Sequence, residues 1–508
     1  MRAGLFILNA SISESDMTFQ LPFDNSYARL PDRFFVRVAP TPAGSPRLVQ
    51  LNRALALHMN LDADWLGSAD GVAALAGKWI PEGADPIAMA YAGHQFGGFV
   101  PQLGDGRAIL LGEVIDKDGI RRDIQLKGAG RTPFSRNGDG RAALGPALRE
   151  YLMSEAMTAL GIPTTRALAV VLTGENVRRE TLLPGAVFAR VASAHIRVGT
   201  FQYFAARGDT EGLRLLADYV IARQFKEVAK DGDPYQAFFD EVVGRQADLI
   251  AQWMLVGFIH GVMNTDNMSV VGETIDYGPC AFMDAYDPTT VFSSIDRQGR
   301  YAYGNQPSIA LWNLCRLAET MLPLLSDEQD RAINIANDAL DRFQTRFQRS
   351  WLDGMRRKLG LLTPDDEDSV LVQDLLNAMV QNQADFTNTF RRLSEEVVDS
   401  PAAGTVRDLF VDPKAYDAWA ERWRIRLRQE PHDTGTRATA MRAANPAYIP
   451  RNHRVEAVIE AAVNRGDFGL FEELLTVLSA PYQDRSSFIQ YSDPPKSHER
   501  VHQTFCGT

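Results

Sequence analysis

The alternation of apolar and polar positions divides the chain into two textures. From Phe99 to Val191 the apolar runs are short. Phe99–Leu103, Arg107–Val114 and Arg122–Lys127 are predicted as strands, joined by Gly104-Asp105-Gly106 and by Asp116-Lys117-Asp118-Gly119. After a glycine-rich, basic loop, Leu144, Leu148, Leu152 and Ala156 recur on one face of a helix predicted over 143–160, which Gly161-Ile162-Pro163 stops. Two more strands are predicted at Arg166–Leu172 and Ala186–Val191. Beyond about residue 200 the spacing is mostly helical, strongest at Leu213–Glu227 and Phe238–His260, with a polar loop at 261–280 and helices again over 308–480. Residues 17–95 hold short apolar clusters, many prolines and a helical stretch near Leu48–Met59, and read as an ordered extension on something larger. The acidic stretch Asp365–Asp368 reads as the cap of the helix after it, where negative charge meets the positive end of the dipole. The pattern therefore predicts an α+β fold of two lobes, with a cleft between them as the place for a ligand.

Composition narrows the class. The 508 residues carry 53 Lys+Arg against 64 Asp+Glu, a net charge of −11, which argues against bulk nucleic-acid binding. With 45% hydrophobic and 23% charged residues, global disorder is excluded. No apolar run approaches the roughly 18 residues that suggest a membrane helix. Three cysteines, Cys280, Cys315 and Cys506, exclude a disulfide scaffold and a four-cysteine zinc site, and fit a reducing compartment. Arg2 precedes a short apolar stretch, Gly4–Leu8, with no cleavage site behind it, so no signal peptide is read. Met17 precedes a better start, leaving residues 1–16 as a leader, and a cytoplasmic location is expected.

Three segments can carry chemistry. In the first, Gly104, Gly106 and Arg107, glycines let backbone amides approach a phosphate and the arginine adds charge; such a turn is also commonly just a turn. The pentapeptide Gly-Asp-Gly-Arg-Ala occurs at 104–108 and again at 138–142. The second is Lys127, which ends an apolar strand and, as in protein kinases, can hold nucleotide phosphates; Glu150, 23 residues on, is the preferred partner, although Glu155 lies closer to the leucine stripe. The third is His260-Gly-Val-Met-Asn-Thr-Asp266-Asn267 followed by Ile275-Asp276-Tyr277-Gly278. It matches the spacing of a kinase-like histidine, asparagine and Asp-Phe-Gly triplet, with Asn267 and Asp276 as hard oxygen ligands for Mg²⁺. The kinase position for the proton acceptor is Val262, which accepts none; the nearest carboxylate is Asp266. Arg190 and Arg197 are candidates for a phosphate clamp, Arg131, Arg136 and Arg141 weaker ones, and His195 is assigned a structural or surface role.

These segments, together with Tyr91-Ala-Gly-His-Gln-Phe-Gly-Gly-Phe and Gln125-Leu-Lys-Gly-Ala-Gly-Arg-Thr-Pro-Phe-Ser-Arg, resemble the selenoprotein O family from about residue 18 to the last residue. The resemblance implies a protein-kinase-like two-lobed pseudokinase fold, with residues 1–95 as leader and extension, 96–200 and 201–345 as the two lobes, and 346–508 as a helical extension. It implies a protein adenylyltransferase, with UMP transfer described in bacteria, that binds ATP reversed relative to ordinary kinases. AMP would pass to Ser, Thr or Tyr hydroxyls of client proteins. Gly104, Gly106, Arg107, Lys127, Asp139, Gly140, Arg190, Arg197 and Asp276 would then bind nucleotide. Asn267 and Asp276 would bind Mg²⁺ or Mn²⁺, and Asp266 would accept the proton. Cys506 stands where eukaryotic relatives place selenocysteine; a terminal thiol there suggests redox sensitivity, with Cys280 as a partner if the tail reaches it. The open alternatives are a silent nucleotide-binding module and an atypical kinase using Asp266.

Overall fold

The computed structural model describes residues 21–227, 232–398 and 405–505. Cys506 and the leader 1–16 lie outside these residues. The fold is α+β, with the strands of the main sheet in the first two fifths of the chain and helices dominating the rest.

One antiparallel sheet collects β1 (Phe35–Arg37), β2 (Arg47–Leu51), β3 (Ile87–Met89), β6 (Ala108–Ile115), β7 (Arg121–Lys127), β9 (Arg166–Arg178) and β10 (Leu182–Ala192) in the order β1-β3-β6-β7-β10-β9-β2, while a short β8 (Ala142–Ala143) also pairs with β10. Between β3 and β6 lies a separate hairpin, β4 (Gly93–Gln95) and β5 (Gly98–Val100). Three strands of the main sheet thus come from residues 35–89, ahead of residue 95. The expected helical stretch near Leu48–Met59 is two elements: β2, then a six-residue helix α1 (Arg53–His58) capped by the Asn52 side chain. Its apolar residues satisfy both periods, and pairing with β9 decides the first half. The expected strand–turn–strand at Gly104-Asp105-Gly106 is not a hairpin either. Phe99 pairs with His94 in β4–β5, whereas Leu103 and Asp105 donate their N–H groups to the Tyr91 and Met89 carbonyls.

Period two gives the sheet two unlike faces. Ile109, Leu111, Ile124, Leu126, Val187, Ala189 and Val191 pack on one side against α1, α2 (Ala63–Gly67) and α3 (Ala69–Leu75). On the other side Leu110, Val170 and Phe188 join the main core, beneath α4 (Leu144–Ala159). Gln125, Lys127 and Arg190 fall on this second face, with Arg190 directly opposite Gln125 and Phe188 opposite Lys127.

Helices α5 (Val198–Ala205), α6 (Thr210–Gln224) and α7 (Pro234–Val256) follow the sheet. α7 starts where the Asp233 carboxylate accepts from the Tyr235 and Gln236 N–H groups ahead of Pro234, and stops at Gly257 in a left-handed conformation. It therefore ends short of the expected His260. Phe258–Ile259 (β11) instead pairs with Ala281–Phe282 (β12), pinching the polar loop 260–280 at its base. Buried Gln306 and Asn313 of α8 (Gln306–Leu325) grip that loop: Gln306 donates to the Phe258 carbonyl and accepts from the His260 N–H, and Asn313 donates to the Met263 carbonyl.

The remaining helices, α9 (Gln329–Lys358), α10 (Asp368–Asn382), α11 (Phe386–Glu396), α12 (Pro413–Leu427), α13 (Thr434–Ala444), α14 (Asn452–Arg465) and α15 (Gly469–Leu478), extend the same core. Trp419 and Trp423 stack at 5.5 Å inside it. Asp368 stands in the first turn of α10 with Glu367 before it, so the acidic stretch does meet the positive end of that helix as expected. Asp368 is buried, and its two oxygens bind Arg356 and Arg426 at 2.8 Å each. Arg451, 1% exposed at its side chain, ties this region to the strand end after β12 through Asp284 at 2.6 Å and Asp385 at 2.8 Å. Removing one member of a buried ion cluster leaves the others unneutralised, so Arg451→Met is expected to lower unfolding stability by about 3–5 kcal/mol in urea titrations.

Candidate active site

The inner face of the sheet, the pinched loop and the start of α5 meet around a cleft of about 760 Å³. At its deep end three cations converge on one carboxylate. Asp276 accepts from Lys127 Nζ at 3.1 Å, Arg190 Nη1 at 2.6 Å and Arg197 Nη1 at 2.6 Å. Glu150 completes the cluster, accepting from Lys127 at 2.6 Å and Arg190 at 3.2 Å. Of the two glutamates considered from the helical wheel, Glu150 reaches Lys127; Glu155 pairs with Arg166 at 2.8 Å and with Asn52. Burial works against the charged form of Asp276, but Arg190, Arg197 and Lys127 outweigh it and hold the carboxyl well below the usual range. Its backbone sits at φ +61°, a left-handed conformation uncommon for a residue with a side chain.

Asp266 lies beside this cluster on a single turn, Thr265–Asn267, and 7% of it is exposed. Arg197 Nη1 also donates to the Asp266 carbonyl at 2.6 Å. Burial pushes the Asp266 carboxyl up to about 6, with Arg197 and the Gln95 amide opposing it. Asn267 spends its amide N–H on the Val262 carbonyl at 3.0 Å. Val262 itself lines the cleft. His260 is held below its usual range by burial; it shares a 2.8 Å hydrogen bond with the Ile275 carbonyl and stacks on Trp253.

The two Gly-Asp-Gly segments come together on the opposite wall. Gly104, Gly106, Arg107, Asp139 and Gly140 all line the cleft, as do Arg136 and Arg141. They are bonded through the loop between them: Ser135 donates to the Gly106 carbonyl and Thr132 to the Asp105 carbonyl. Gly104 has φ +75°, and a Cβ there would strike the Phe134 ring. Asp139 pairs with Arg179 at 2.8 Å. Arg131 is outside the lining set, donating to the Arg136 carbonyl.

Sequence reasoning missed several contributors. Asp105 is buried beneath the first turn, accepts from the Met89 N–H and the Gln125 amide, and is pushed up to about 6 by burial. Tyr91 lies 4.8 Å under the Arg197 guanidinium. Gln95 donates to Asp266 Oδ2 at 3.1 Å. Tyr91 and Gln95 stand in a motif that was visible without a role; Asp105 was overshadowed by its glycines.

Asn267 and Asp276 both line the cleft, and their oxygens are of the hard type that divalent cations take as ligands. A separate group, His58, Asp116 and Asp118, has ligand atoms within 4.8 Å of one another, and none lines the cleft. Asp116 there is engaged by Arg122 at 2.8 Å and by the Asp118 and Ile120 N–H groups, which close a turn.

Comparison with known proteins gives the class: the chain is a protein nucleotidyltransferase. A family model described as "Protein adenylyltransferase SelO" matches residues 17–479, and the chain belongs to that family. Among its relatives, "Protein nucleotidyltransferase YdiU" of Rhodopseudomonas palustris (strain BisB5) is 65% identical over 97% of this chain and 100% of its own length. The proteins of the same name from Bradyrhizobium diazoefficiens and Methylorubrum extorquens (strain PA1) are each 64% identical over the same shares. Among the described residues no helix is long and apolar enough to cross a membrane.

His195 is structural and buried rather than at the surface. It shares a 2.9 Å hydrogen bond with Asp123, which also binds Arg223 at 2.5 Å. Burial lowers His195 to about 4 despite Asp123, while the unfolded chain titrates near 6.5. The unfolded state therefore takes up the proton first, and this histidine costs stability as pH falls from about 6.5 to about 4. His195→Gln is expected to flatten that limb by roughly 2–3 kcal/mol relative to wild type, read from denaturant midpoints at each pH.

Proposed function

We propose that the chain transfers AMP from ATP to Ser, Thr or Tyr hydroxyls of client proteins, in a protein-kinase-like arrangement of two lobes. Residues 96–200 and 201–345 form the lobes in this reading, with 1–95 and 346–508 as extensions. The observation that carries it is the shared guanidinium: Arg197 Nη1 donates to Asp276 and to the Asp266 carbonyl, both at 2.6 Å. The phosphate clamp and the proton acceptor are then one bonded unit, while Val262 takes no proton.

Lys127, Arg190 and Arg197, with Arg107 and the amides around Gly104, Gly106 and Gly140, hold the outer phosphates at the deep end of the cleft. Asp139 orients the second turn through its bond to the Arg141 N–H at 2.9 Å. Such a clamp leaves the innermost phosphorus near Asp266. The client hydroxyl oxygen forms a bond to that phosphorus, its proton passes to the Asp266 carboxylate, and the bond to the bridging oxygen breaks with its electron pair on pyrophosphate. Glu150 keeps Lys127 and Arg190 aligned. A Mg²⁺ or Mn²⁺ ion on Asn267 and Asp276 would supply charge neutralisation to the phosphates. Rate enhancement comes from orientation and fixed charge.

Incubation with labelled nucleotides tests the reading. Label from the α-phosphate of ATP is expected on protein, with pyrophosphate in solution; label from the γ-phosphate alone would make the chain a kinase, and tight binding without label a silent module. Asp266→Asn is expected to lower kcat by about 10²–10⁴-fold with nucleotide affinity little changed. UTP run in parallel reads nucleotide choice.

A further inference from the structure

The hairpin Gly93–Val100 belongs to neither the main sheet nor the phosphate-binding turns, yet its residues 94–96 are bonded to the loop that carries Asp266. The His94 N–H donates to Thr265 Oγ1 at 2.7 Å, and the Thr265 hydroxyl in turn donates to Gln202 Oε1 at 2.6 Å. The Gln202 amide lies 2.8 Å from His94 Nδ1, which closes a ring of three residues. The Phe96 N–H donates to Asn264 Oδ1 at 3.1 Å and to the Tyr301 hydroxyl at 3.2 Å, and Tyr301 donates to the same Asn264 oxygen at 2.6 Å. The hairpin is thus a rigid mount for the turn Thr265–Asn267.

From this mount one side chain reaches the carboxylate. The Gln95 amide donates to Asp266 Oδ2 at 3.1 Å, the one side-chain hydrogen bond that carboxylate makes among the described residues. Oδ1 is buried without a partner, against Gly93. A Cβ at position 93 would stand 2.8 Å from Oδ1 and 3.0 Å from the Asp266 Cβ, so the glycine leaves the room the carboxylate occupies. A carboxylate with one anchored oxygen and a close backbone wall behind the other has its rotation fixed, which a hydrogen bond to the loop backbone alone does not achieve.

We propose that Gln95 is a positioning residue: its amide fixes the Asp266 carboxylate in the orientation that meets the client hydroxyl, with the Gly93–Val100 hairpin as its support. The inference rests on the reading of Asp266 as proton acceptor. Gln95 lies among the residues lining the cleft but makes no bond to the cation cluster, so its loss affects the acceptor and leaves the phosphate clamp intact.

The experiment compares full-length wild type with Gln95→Ala and the isosteric Gln95→Glu, measuring kcat for α-label transfer and, separately, nucleotide affinity by titration. Both variants are expected to lose about 10–100-fold in kcat while the ATP dissociation constant stays within about threefold. Gln95→Glu, which keeps volume but replaces the donor with a second carboxylate, is expected to be no better than Gln95→Ala. A kcat within twofold of wild type in either variant, recovery in Gln95→Glu, or a parallel loss of nucleotide affinity overturns the proposal. Crystal structures of wild type and Gln95→Ala decide it independently of activity: one fixed Asp266 orientation that is lost in the variant supports it, and an unchanged carboxylate overturns it. A wild type that transfers no α-label defeats the reading of function instead, and the crystallographic comparison still stands.

Discussion

Three cations pressed around one carboxylate set the terms for the rest of this molecule. Lys127, Arg190 and Arg197 repel one another, and each loses hydration on burial; the Asp276 and Glu150 carboxylates offset this. Such a cluster contributes little net stability. Its worth is geometric, since groups already desolvated and aimed at one point need no reorganisation when phosphate oxygens enter. The left-handed backbone of Asp276 belongs to the same account: strain persists where the surroundings hold a residue in place, and three charge-assisted bonds do so here.

Each cation reaches that point from a different element. Lys127 and Arg190 come from neighbouring strands whose alternation turns them, with Gln125, to one face, and Arg197 comes from the residue that precedes α5. Asp276 and Asp266 come from a loop closed at its base by β11 and β12 and gripped by Gln306 and Asn313. A long polar loop would otherwise be a poor place for a fixed charge. Here buried side-chain amides do what regular structure does elsewhere, satisfying backbone groups that water cannot reach.

The parts legible in the sequence were those with local periodicity or dense chemistry. Strict alternation in Ile124-Gln125-Leu126-Lys127 turned the lysine inward, and the loop with His260, Asp266, Asn267 and Asp276 announced itself by composition. Arg190 was visible as a charge ending an apolar strand, and Arg197 as a second guanidinium just after His195. What escaped depended on partners far along the chain. The Asp123–His195–Arg223 cluster joins residues 72 and 100 positions apart, which no window detects. Arg47–Leu51 reads equally as helix or strand until β9 arrives to pair with it. Gln95 was in plain sight within a glycine-rich motif, but an amide becomes meaningful only once a carboxylate is seen beside it.

That pairing of β2 with β9 has a bearing on how the protein is made. Leu51 must find Ala169, so this edge strand emerges from the ribosome about 120 residues before its neighbour exists. It waits as an apolar ribbon with unsatisfied backbone groups, a state prone to mispairing with other nascent chains. α1 to α3, which follow it directly, are short and bury their apolar sides largely against the sheet, so they give it little shelter meanwhile.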